Sequence, residues 1–117
     1  MKGQKNQAII IYNILRQIGL SPKIKGTKIL VSAIMIALNS SDEFIIMSNI
    51  YQQLSIQYNL TQHSINTAIS YTLHHLVGTD YKNNFQKLFG IEFCEDLYTN
   101  KTIIEEITRI IKMDSII

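Results

Sequence analysis

Residues 51–70, YQQLSIQYNLTQHSINTAIS, constrain the fold more than any other part of the chain. Apolar side chains recur at Leu54, Tyr58, Leu60, Ile65 and Ala68. That spacing lets two short helices share one small core across a tight bend. Ser55 is small and permits a close approach of the second helix. Asn59 stands at the bend, where the backbone needs a left-handed residue and Asn is the best candidate after Gly. The pattern is a helix-turn-helix. Its second helix turns Gln62, His63, Asn66, Thr67 and Ser70 outward. All five can hydrogen-bond, yet residues 51–70 contain no Lys or Arg. The fold therefore points to DNA binding, while the charge of the reading face leaves that open.

The rest of the composition limits the alternatives. A chain of 117 residues fits one domain and buries a core without metal or disulfide support. Hydrophobic content of 46% against 17% charged places it among globular proteins rather than disordered ones. A net charge of +2 makes no case for nucleic acid by itself. The single cysteine, Cys94, excludes an internal disulfide and suits a reducing cytoplasm, the expected location. The longest apolar run, residues 29–38, is interrupted by Ser32 and falls short of the about 20 residues of a membrane span. No signal peptide is read at the start.

Six helical segments are expected, with no convincing strand, in a single all-α domain over residues 1–117 with residues 1–7 as a tail. The first helix spans about residues 6–18, with Gly19 as its stop. The second spans residues 27–38 and is apolar nearly all round, so it reads as the buried central helix. The third and fourth, residues 48–58 and 61–77, form the helix-turn-helix, with Gly78 closing the fourth. A short fifth helix covers residues 83–89 and ends at Gly90. Residues 91–97 are read as extended loop. The sixth runs from about Asn100 to Lys112, with Thr102 and Glu105 read as a capping box.

Several segments together resemble one family. They are Ile14-Leu15-Arg16-Gln17-Ile18-Gly19-Leu20 with Ile24-Lys25-Gly26, then Ala33-Ile34, Ile50-Tyr51, and Tyr58-Asn59 with Thr61. Ala68-Ile69, Leu88-Phe89-Gly90 and Thr99-Asn100 complete the set. In order and spacing they are similar to the C-terminal DNA-binding effector domain of the stage-zero sporulation master response regulator of spore-forming Firmicutes. The resemblance covers roughly residues 8–113. It implies a six-helix domain that binds DNA as a dimer and reads the major groove through its helix-turn-helix. It also implies dimer contacts from the last helix and contact with a sigma subunit of RNA polymerase after the recognition helix. Two departures stand out. The family's regulator carries a phosphoacceptor receiver domain, for which this chain has no room, so the effector domain is expected to stand alone or as a fragment. The family also places arginines on the recognition helix, where this chain has Ser64, Asn66, Thr67 and Ser70.

Arginine on guanine is the commonest specific contact, so the family's own sequence preference should be lost. Gln and Asn pair bidentately with adenine, and Gln62, Asn66 and Ser70 share one helical face, which suits an AT-rich site in double-stranded DNA. Phosphate contacts would come from Lys23, Lys25 and Lys28 on one side and Lys82 and Lys87 on the other. Ordinary solvated surface charge is the competing account of these lysines. A second reading of the whole chain keeps the fold without DNA. In it the domain acts by protein contact, on a related regulator or on a sigma subunit.

Other constellations carry less. His74 and His75 are adjacent on a helix, point about 100° apart and cannot share a metal facially; one of them is expected to be a half-buried packing residue. No metal-ligand motif occurs and no cofactor is implied. Cys94 lies between Glu92 and Glu95 and is read as inert. The acidic pairs stand at segment ends, where helix dipoles explain them, so no enzyme is expected. The last helix has more apolar surface than one core face needs. Ile107 and Ile111 are candidates for core or partner contact, and Ile104 is expected to face a second copy or another partner.

Overall fold

The computed structural model describes residues 2–40, 46–74, 81–90, 92 and 99–116. Among them are six helices: α1 (Lys2–Gln17), α2 (Lys25–Asn39), α3 (Met47–Tyr58), α4 (Gln62–His74), α5 (Tyr81–Phe89) and α6 (Asn100–Ile116). The described residues contain no strand. The architecture is the all-α domain expected, and α2 is its central helix. Ile29, Leu30, Val31, Ala33, Ile34 and Ala37 are all buried, and α2 packs against α1, α3, α4 and α6. An apolar circumference demands this position, because any exposed side would leave aliphatic surface in water.

The helix stops follow backbone chemistry. Gly19 takes φ 97°, and the Leu20 amide donates back to the Leu15 carbonyl at 3.0 Å, closing α1 with a left-handed cap. Gly90 does the same for α5 at φ 71°, donating to Gln86 at 2.9 Å. Just before it, Phe85 and Phe89 meet edge to face at 4.5 Å and anchor α5 in the core. Gly78 and Cys94 fall outside the described residues, as do His75 and most of the loop read at residues 91–97.

Two local expectations are corrected. Helix α1 begins at Lys2, so residues 2–7, read as part of a tail, are its first turns. The cap of α6 is Thr99, whose hydroxyl accepts from the Thr102 amide at 3.2 Å. Thr102 is therefore inside the helix, and Glu105 pairs with Lys101 at 3.6 Å instead of closing a capping box. His74 is exposed, and His75, the other residue for which half-buried packing was expected, lies outside the described residues.

The largest correction concerns α6. Ile103, Ile104, Ile107 and Ile111 are all buried in the core with Thr108. Ile104 is 0% exposed. It cannot serve a partner, because α6 lies against both α2 and α4 and so buries two adjoining faces rather than one. Thr108 tolerates burial by donating its hydroxyl to the Ile104 carbonyl at 2.6 Å.

Candidate nucleic-acid interface

The turn between α3 and α4 is built from Ser55, Asn59, Leu60 and Thr61. Asn59 is left-handed, with φ 54° and ψ 48°, and is the sole non-glycine residue with positive φ among those described. The Leu60 amide returns to the Ser55 carbonyl at 3.1 Å, and the Ser55 hydroxyl donates to the Leu60 carbonyl. Ser55 thus closes the turn twice, a larger role than its size alone predicts. Thr61 then caps α4: its hydroxyl oxygen accepts from the Ser64 amide at 3.0 Å. Leu54 and Ile65 form the shared core, with Tyr58, Leu60 and Ala68 half-buried against it. The Tyr58 hydroxyl ties the unit to α2, lying 2.6 Å from Ser32 Oγ.

Helix α4 buries Ile65, Ile69, Thr72 and Leu73 and leaves Gln62, His63, Ser64, Asn66 and Thr67 exposed. Two helix N-termini flank that exposed face. On one side is the start of α2, where Gly26 lies against α4 and a Cβ would sit 2.6 Å from the Ala68 carbonyl oxygen. The two helices frame a groove of about 540 Å³, with Lys25, His63, Thr67 and Tyr71 among its lining residues. Lys25 and Lys28 are both exposed, and no side chain caps α2, whose N-cap residue is Ile24. The helix dipole there favours an anion.

On the other side is the start of α6. The Asn100 amide nitrogen lies 3.0 Å from Asn66 Oδ1, 3.0 Å from Ser70 Oγ and 3.3 Å from the Asn66 carbonyl oxygen. The Tyr51 hydroxyl, on α3, donates to Asn66 Oδ1 at 2.9 Å. Asn66 and Ser70 are therefore engaged inside the protein, whereas no side-chain hydrogen bond engages Gln62, His63 or Thr67 among the described residues.

The predicted residues are thus partly gathered and partly dispersed. Gln62, His63, Asn66, Thr67 and Lys25 border one surface, with Ser70 half-buried at its α6 edge and Lys28 one turn along α2 from Lys25. Lys82 is exposed on α5, whose main packing is against α1. Ile104, Ile107 and Ile111 belong to the core beneath. The roles of Tyr51 and Asn100 at the edge of α4 escaped the sequence reading. Their pairing with Asn66 spans three helices, and no local periodicity announces it. Among the described residues, no group of His, Cys, Asp or Glu could hold a metal, and no helix is long and apolar enough to cross a membrane.

Residues 11–111 match the family described as sporulation initiation factor Spo0A C terminal. The chain belongs to this family. The match begins in α1, ends in α6 and takes in the whole helix-turn-helix. The family is one of DNA-binding effector domains of a sporulation regulator rather than of enzymes. No curated protein and no solved structure matches the chain. Ile24-Lys25-Gly26 and Thr99-Asn100 both lie within the matched residues. In this structure those segments form the two flanks of α4.

Proposed function

We propose that this chain is a DNA-binding transcriptional regulator of the sporulation type that reads its site with uncharged side chains. The observation that carries the reading is the exposed face of α4. It presents the side chains of Gln62, His63 and Thr67, which make no hydrogen bond among the described residues, contains no acidic residue and borders Lys25. Gln62 would pair with adenine, and Thr67 and His63 would contact neighbouring edges, which favours an AT-rich major groove. Lys25 and Lys28 would neutralise phosphate beside the groove.

So few cations per copy give weak binding at physiological salt, and a dimer on two half-sites would supply the rest. Its contact would exclude Ile104, Ile107 and Ile111, which are core, and would use exposed side chains such as Met113 instead. The absence of Lys and Arg from the face of α4 favours a second reading, in which the domain acts by protein contact on a related regulator or on a sigma subunit.

Selection from a random duplex library, followed by a salt titration of the best binder, separates the two. An enriched AT-rich site that is lost on Gln62→Ala, with a log-log salt slope of several, supports the regulator. Flat, weak binding without enrichment supports the protein-contact reading.

A further inference from the structure

Asn66 is both exposed on α4 and fixed by its neighbours, and the chemistry of those neighbours decides which way its amide faces. The Asn100 side-chain nitrogen lies 3.3 Å from the Asn66 backbone carbonyl oxygen. A carbonyl oxygen only accepts, so this end of Asn100 must be its NH2 group. That NH2 also lies 3.0 Å from the side chain of Asn66, and only an oxygen satisfies it there. The Tyr51 hydroxyl donates to the same Oδ1 at 2.9 Å. With Oδ1 held by two donors, the Asn66 NH2 group has no hydrogen-bond partner among the described residues and is the half of the amide left to solvent.

We infer that Asn66 reads DNA as a donor alone, and that it selects guanine rather than adenine at its position. Bidentate pairing with adenine needs the amide oxygen to accept from adenine N6 while the nitrogen donates to N7. Here the oxygen is occupied. Guanine sets two acceptors, O6 and N7, side by side on its major-groove edge and suits a lone NH2 donor, whereas adenine sets a donor beside its acceptor. The site read by α4 then contains one G·C pair within an otherwise AT-rich sequence. Asn100 and Tyr51 are positioning residues, acting through Asn66 without touching base. The inference rests on the DNA-binding reading above.

The test compares library selections by the wild-type chain, Asn66→Asp and Asn100→Ala, each checked for helical content by circular dichroism. In Asn66→Asp one carboxylate oxygen keeps both donors while the other turns the outward donor into an acceptor. Its added charge weakens binding to all sequences alike, so the readout is base identity at one position. The wild type is expected to select guanine there. Asn66→Asp is expected to move the preference to cytosine, whose N4 donates, with about tenfold loss on the guanine site. Asn100→Ala, which removes the group that fixes the amide, is expected to admit adenine beside guanine. An unchanged base at that position in both variants, with the wild type still enriching a site, overturns the inference alone. No enrichment by the wild type overturns it together with the DNA reading.

Discussion

The Thr72 hydroxyl fills the space in which any other residue at position 26 would carry its Cβ. A Cβ on Gly26 would overlap Thr72 Oγ1 outright and lie 2.6 Å from the Ala68 carbonyl oxygen. Thr72 cannot readily turn aside, because its hydroxyl donates to that same carbonyl at 2.8 Å. Gly26 thus sets the distance between the start of α2 and the reading helix. Gly26→Ala is expected to destabilise the domain by about 1–3 kcal/mol, despite the better helix propensity of Ala. Urea denaturation checks this. The double variant Gly26→Ala with Thr72→Ala should recover only part of the loss, since the Ala68 carbonyl remains in the way.

Ile104 offers a test of where the core ends. It is wholly buried, so Ile104→Glu places a carboxylate in aliphatic surroundings and is expected to unfold the domain. Ile104→Ala should keep the fold at a cost of about 2–5 kcal/mol. Sedimentation together with circular dichroism reads both. A folded, monomeric Ile104→Glu variant would show that this side chain faces a partner after all.

The turn before α4 makes a further pair of predictions. Asn59→Ala forces a β-carbon into left-handed backbone and should cost about 1 kcal/mol, while Asn59→Gly should be close to neutral. Thr61→Ala removes the acceptor of the Ser64 amide and should also cost about 1 kcal/mol. Thermal unfolding of the three variants checks the order.

Lys25 separates positioning from reading. It is exposed beside the groove and directly precedes Gly26. Lys25→Gln is expected to lower the log-log salt slope by about 1 and to leave the selected sequence unchanged. An altered base preference would mean that Lys25 reaches a base edge.

The helix-turn-helix was legible because its signals are local. The apolar spacing from Leu54 to Ala68, the left-handed Asn59 and the start near Thr61 all follow from side chains close in sequence. The central place of α2 was legible too, from its uniform apolarity. The partner of each face was not. Ile104 reads as surplus on α6 until two neighbouring helices are seen to meet there. Asn66 and Ser70 read as outward by helical phase, and nothing in residues 51–70 reveals that Asn100 arrives beside them. Gly26 belongs to a matched segment, yet its reason lies in Thr72, far along the chain.

The central packing of α2 also governs how the domain comes apart. Helices α1, α3, α4 and α6 each rest on it, so its departure takes buried surface from all four at once. Unfolding is expected to proceed in one cooperative step, with amide exchange slowest along α2 and no surviving fragment that keeps the reading helix ordered. Proteolysis that removes α6 would accordingly end DNA recognition by dissolving the support of α4, well away from the bases.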